Sequence, residues 1–254
     1  MQRRITDWGG NIVAYVVMIL LNVLSNALPI NDQSMPEISA KYPSLFTPAG
    51  FTVSIWGVIY LALLVFLVWQ ALPAQRSNTK IAAISAYFKA NCLFNALWIV
   101  VWHYDLVVVS LLLMLGILVT LILIYRALIA TITAAPWAEH LALYLPFSLY
   151  TGWITLATIA NASVVQTAYG LDDAVLGAVQ WTLLKLAAAG AVGAIMILRL
   201  RDAPFALVIA WGAYGIASMQ TGTPAVAGAA LTLSLLMLSL AAKDGIDRLL
   251  TTRS

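Results

Sequence analysis

Uninterrupted apolar runs of about 20 residues recur along nearly the whole chain, and a run of that length crosses the ~30 Å hydrocarbon core of a bilayer as one helix. Backbone N–H and C=O groups find no water there, so each run must satisfy them internally, which helices and closed barrels achieve. The alternation expected of lumen-lined barrel strands is missing. Composition agrees: 63% of the residues are hydrophobic and 9% charged, against about 25% charged in a soluble domain. Charged or Pro/Gly-rich breaks separate eight spans, near 11–29, 50–72, 80–101, 105–130, 141–165, 174–198, 204–220 and 224–243. The expected fold is an all-α integral membrane protein of about eight transmembrane helices, the seventh being the shortest.

Charge distribution sets the expected orientation. Arg3, Arg4, Arg76, Lys80, Arg126, Arg199, Arg201, Lys243, Arg248 and Arg253 fall on one side, and Lys41 on the other with Asp32, Glu37, Asp105, Asp172 and Asp173. The positive-inside rule makes the first side cytoplasmic and places both termini there, in the cytoplasmic (inner) membrane. The opening "MQRR", an apolar run and Ser25-Asn26-Ala27 imitate a signal peptide, but Asn22 and Asn26 interrupt the run and favour a retained first helix. No cluster of Lys and Arg is dense enough for nucleic acid. The lone Cys92 has no partner for an internal disulfide.

The polar and aromatic residues inside the spans gather in one half of the bilayer. Asn22 and Asn26 share a face of the first helix, Trp56 and Tyr60 of the second, Asn91, Asn95 and Trp98 of the third, and Tyr150, Trp153 and Asn161 of the fifth. Polar side chains in lipid turn inward, so these stripes are expected to converge. Asparagines also serve as interhelical glue and tryptophans as an interfacial belt, the reading favoured for Trp8, Trp69, Trp102 and Trp137. An aromatic cavity with a few polar groups suits a flat, apolar ligand with polar edges. Ahead of the second helix, the loop 30–48, preceded by Pro29, carries Pro36, Pro43 and Pro48, which stiffen it without making it helical. Such a loop is expected either to cover the cavity as a lid, presenting Tyr42, Phe46 and Phe51, or to be an ordinary connector.

Three stretches carry a family resemblance: "FTPAGFTVSIWGVIY", "NALW" from Asn95 to Trp98, and "WITLATIAN" from Trp153 to Asn161. They resemble, in order, the Trp/Phe-Thr-Pro-Pro loop and following helix, the Asn-x-x-Trp third helix, and the Trp, Ala-Thr and Asn of the fifth helix in the translocator-protein, or tryptophan-rich sensory protein (TspO/MBR), family. The resemblance covers about residues 8–165. It implies a five-helix bundle over 1–165, with residues 166–254 as three additional helices that have no counterpart in the five-helix family. It further implies a pocket of Trp56, Asn95, Trp98 and Trp153 under the segment 42–51, binding porphyrins and other lipophilic ligands for tetrapyrrole sensing, transport or breakdown. Dimerisation, common in the family, is a prior for this chain. The sequence departs from the pattern at Trp56, one residue early, at Leu149, where a proline is expected and Pro146 is displaced by three, and at Ala49, in place of the second loop proline.

Two lysines lie within spans without an evident carboxylate at their own depth. Lys89 is expected to snorkel to the cytoplasmic face. Lys185, one turn from Trp181, could contact helix carbonyls, a partner subunit or an acid group of a porphyrin. A retinal Schiff base on it would need a carboxylate counter-ion that the sequence does not place nearby. His103 and His140 fall at opposite surfaces and cannot share a metal or haem, so ordinary hydrolytic or redox catalysis is not expected. The leading expectation is a receptor or carrier for a lipophilic, tetrapyrrole-like ligand, with membrane lipid as neighbour, no required cofactor beyond bound porphyrin or haem, no metal and no nucleic acid. The alternative is an accessory or scaffold subunit of a larger membrane complex. A secondary transporter ranks third, since paired intramembrane acids and repeats are lacking.

Overall fold

The computed structural model describes residues 4–28, 30–129, 135–172 and 174–251, with the side chains of Asn26 and Thr251 excluded. Arg3, Pro29, Asp173 and Arg253 therefore lie outside the described residues. Among the described residues, ten α-helices follow in chain order: α1 (Ile5–Ala27), α2 (Met35–Lys41), α3 (Ile55–Ala71), α4 (Thr79–His103), α5 (Val107–Ile129), α6 (Trp137–Glu139), α7 (Leu145–Ala168), α8 (Ala178–Leu200), α9 (Ala203–Met219) and α10 (Pro224–Thr251). A 3-10 turn, Gly50–Ser54, leads into α3, and a π-helical turn, His140–Tyr144, joins α6 to α7. Among the described residues, seven helices are long and apolar enough to cross a membrane. The protein is an all-α, multi-pass membrane protein. At 17 residues α9 is the shorter apolar helix, about 25 Å long at 1.5 Å per residue.

Local chemistry explains the boundaries. The Asn78 side chain caps α4 by accepting from the Lys80 N–H, and the Asp202 carboxylate caps α9 by accepting from the Phe205 N–H, 3.0 Å, each satisfying a first-turn donor that has no helical partner. Pro204 stands in the first turn of α9, where its missing N–H costs nothing. Arg201 ends α8 in the left-handed region, φ 54°. Its guanidinium is held by the buried Asp244 carboxylate, 2.6 Å, which also accepts from Arg248 at 2.7 Å.

The chain forms two compact units: Met1–Lys41 with Trp56–Thr151, and Tyr42–Ile55 with Gly152–Ser254. In the first, α4 packs along both α1 and α5. Phe66, Phe88 and Phe147, all fully buried, meet edge to face with centroids 5.2 to 6.0 Å apart. In lipid such packing gains from dispersion and shape, since hydrocarbon solvates a phenylalanine as well as another helix does. Asn11 donates to Gln70 Oε1 at 3.0 Å, Ser85 Oγ lies 3.1 Å from Asn11 Oδ1, and Gln70 donates to the Trp8 carbonyl at 3.3 Å. Lys89 reaches the Thr6 carbonyl at the start of α1, 3.0 Å.

The second unit is built around α9, which buries Phe205, Val208, Ile209, Ala213 and Ile216 with its glycines Gly212 and Gly215. Small residues set its close contacts. A Cβ on Gly212 would lie 2.3 Å from Leu156 Cδ1, one on Gly193 2.8 Å from Met237 Sδ, and one on Gly190 2.9 Å from Leu233 Cδ1. The small-residue runs "LAAAGAVGA" and "WGAYG" are packing faces.

Candidate functional site

Three helices of the first unit bring the predicted polar residues to one place. Asn22 on α1 donates to Asn95 Oδ1 on α4 at 2.8 Å, and Asn95 Nδ2 donates to the Tyr150 hydroxyl on α7 at 2.9 Å. Asn95 and Tyr150 are fully buried, so each amide and hydroxyl depends on the next for its hydrogen bond. Trp56 stacks on Tyr60, centroids 5.2 Å apart, and meets Tyr150 edge-on at 5.8 Å. Tyr15 donates to the Tyr60 carbonyl at 2.7 Å. The result is a polar line of Asn22, Asn95 and Tyr150 alongside an aromatic wall.

Farther along α4, Trp98 and Trp102 stack at 5.8 Å, one helical turn apart. Both are buried, and neither indole N–H has an acceptor among the described residues. Trp102, expected in the interfacial belt, is buried against Trp98 in this unit. His103, also buried, has Nδ1 2.6 Å from the Ile99 carbonyl. A carbonyl only accepts, so Nδ1 carries a proton, and the buried Nε2 has no hydrogen-bond partner among the described residues. An unmet buried polar group costs about 1–3 kcal/mol, and three adjoin one helix end.

The other predicted residues go elsewhere. Asn91, on the same stripe as Asn95, donates instead to the Ile117 carbonyl, 3.1 Å, and to Thr120 Oγ1, 2.9 Å, on α5. Four residues advance a 3.6-residue helix by about 40°, enough to turn Asn91 toward α5. Trp153 and Asn161 are buried in the second unit, on the part of α7 beyond Thr151. The side chain of Asn26 is not described. Lys185 lies on α8 in the second unit, donating to Gln166 Oε1 at 2.6 Å.

The proline-rich loop is divided between the units. Its first part, carrying α2, is tied to the end of α4: Asn31 donates to the His103 carbonyl, 3.1 Å, and Lys41 pairs with Asp105. Glu37 reaches back over the start of α2, its Oε2 accepting from both the Ser34 hydroxyl and the Ser34 N–H at 2.7 Å. These bonds, the hydroxyl's first, hold the Glu37 carboxyl below its ordinary pKa, with the Lys41 charge adding to them and slight desolvation opposing. The second part, Tyr42–Ile55, docks on α9. The Ala49 N–H donates to the Gly215 carbonyl, 3.0 Å, the Trp211 indole to the Thr52 carbonyl, 3.0 Å, and Gln220 to the Thr47 carbonyl, 3.3 Å. Phe51 meets Trp211 edge-on at 5.4 Å, and Phe46 is buried. Trp211 and Gly215 were legible only as part of a small-residue packing face. Their role needs a backbone to approach, which residue spacing does not reveal.

A family model described as TSPO-like protein matches residues 7–242. No match was found among curated proteins or among solved structures. The matched range runs beyond the stretch of about 8–165 that carries the motifs and takes in α8, α9 and most of α10. With the paired Trp56 and Tyr60, the Asn95 to Trp98 stretch and the docked Thr-Pro loop on one all-α membrane fold, the chain belongs to the TSPO-like protein family.

Proposed function

We infer that this TSPO-like membrane protein is a receptor or carrier for a lipophilic, tetrapyrrole-like ligand. The reading rests chiefly on the buried Trp98 and Trp102 N–H groups, which have no acceptor among the described residues, on the same helix as Asn95 and its polar line to Tyr150. Two indole donors beside aromatic faces match a flat apolar molecule with acceptors at its edge. Trp56, Tyr60, Asn22, Asn95 and Tyr150 supply the aromatic wall and the polar line. The Lys/Arg distribution supports a cytoplasmic-membrane location with both termini cytoplasmic.

The test is titration of the full-length, detergent-purified protein with protoporphyrin IX and haem, following the Soret band, alongside a Trp98→Phe/Trp102→Phe variant. That variant keeps both aromatic rings and removes both donors. Saturable binding with a shifted Soret band, weakened about tenfold or more in the variant, is expected. Equal, non-saturable partitioning into both proteins overturns the reading, and a stoichiometric co-purifying chain would then favour the accessory-subunit alternative.

A further inference from the structure

We propose that the second unit carries a separate lateral site for an anionic phospholipid, with Lys185 as its phosphate-binding cation. Between α7 and α8 runs a groove of about 560 Å³ whose walls include Ile159, Ala162, Leu184 and the side chains of Gln166, Trp181 and Lys185. Its polar groups are few and gathered near the end of α7. Lys185 is half-buried, and its ammonium donates to Gln166 Oε1 at 2.6 Å. Gln166 is oriented in turn by donating from Nε2 to the Leu171 carbonyl, 3.3 Å. One turn before Lys185 on the same face of α8, the Trp181 indole N–H is buried and has no acceptor among the described residues.

Charge supplies the identity of the occupant. Among the described residues, no carboxylate lies within ion-pair distance of the Lys185 ammonium, although Asp172 acts on it through space. An ammonium on an apolar membrane helix calls for an anion at its own depth. Gln166 stands two residues from the end of α7, about 3 Å along the axis, so the ammonium it holds lies near that helix end. Leu184 and the loop residue Val175, 54% and 81% exposed, leave the groove open toward hydrocarbon. A phosphate accepting from Lys185 and from the Trp181 N–H would place an acyl chain along Ile159, Ala162 and Leu184. This site is independent of the tetrapyrrole reading, and gives Lys185 a lipid phosphate in place of a porphyrin acid group.

The experiment is native mass spectrometry of the full-length protein released from nanodiscs of mixed phosphatidylglycerol and phosphatidylcholine, with oleate and protoporphyrin IX as separate competitors. The wild type should retain phosphatidylglycerol over phosphatidylcholine, Lys185→Met should lose that preference by about tenfold, and Lys185→Arg should keep it. Trp181→Phe, which leaves the lysine in place, should show a smaller loss and serves if Lys185→Met does not fold. Equal retention of both lipids by the wild type overturns the proposal. So does displacement of phosphatidylglycerol by oleate or porphyrin at stoichiometric amounts, which would assign the groove to a free acid.

Discussion

In the first unit Asn22, Asn95 and Tyr150 on three helices satisfy one another through side-chain hydrogen bonds, whereas in the second the segment Tyr42–Ile55 is held on α9 largely through carbonyl and amide groups. The first arrangement needs particular side chains and tolerates small shifts, because amides and hydroxyls rotate to find partners. The second needs a missing side chain. A Cβ on Gly215 would lie 2.1 Å from Thr52 Oγ1 and 3.1 Å from Thr52 Cβ, so the loop can reach the Gly215 carbonyl only across a glycine. In a membrane both devices supply what the hydrophobic effect cannot, a reason for one helix or loop to prefer another over lipid.

The largest break should come at that glycine. Gly215→Ala is expected to destabilise the second unit by about 3 kcal/mol, combining overpacking with the strained Ala49 to Gly215 hydrogen bond; thermal unfolding in detergent and hydrogen exchange across 42–55 would record it. Adding Thr52→Ala removes the two closest atoms and should restore part of the loss. No rescue would mean that the loop is not fixed by this contact. Gly212→Ala sharpens the point, since its Cβ meets only the far end of Leu156, and a smaller effect is expected.

Next in size is Asn95→Ala in the first unit, which removes the Asn22 acceptor and the Tyr150 donor together and should cost about 1–2 kcal/mol. A double-mutant cycle with Asn22→Ala should return a coupling of about 1 kcal/mol. A coupling of zero would show that the asparagines act separately. Trp211→Phe tests a single bond of the docked loop, keeping the edge contact with Phe51 while deleting the indole donor to Thr52, and about 1 kcal/mol is expected.

The smallest effect concerns pH. Glu37 has its folded pKa lowered by the Ser34 bonds, so the cap it forms is fully present above the ordinary carboxylate range and is lost as pH falls through the lowered value. Faster exchange of the Ile38 amide, which bonds to the Ser34 carbonyl at 3.1 Å, should appear on acidification and be absent from its pH profile in Glu37→Gln. An unchanged wild-type profile would remove the cap from the account.

Much of this was legible from residue order. The spans near 50–72, 80–101 and 105–130 became α3 with its leading turn, α4 and α5, because an apolar run in hydrocarbon has few alternatives to a helix. Trp56 with Tyr60, and Asn95 with its partners, followed from four-residue spacing and the need to turn polar groups inward. Asn91 shared that spacing and went to α5, because a helix packed on two sides presents different faces to each neighbour. Trp102 was placed at the interface by its position near a helix end, and its burial depends on what packs over that end.

By itself the sequence determined the membrane class, the helices and their approximate ends, and the residue types that would have to leave lipid, since all of these follow from backbone hydrogen bonding and from the cost of polar groups in hydrocarbon. Only the tertiary structure decided which partner each polar group took. It joined Asn22 to Asn95 across 73 positions, divided the proline-rich loop between the end of α4 and the face of α9, and set Lys185 beside Gln166. Those choices rest on backbone approach and side-chain volume between distant segments, quantities that no local run of residues encodes.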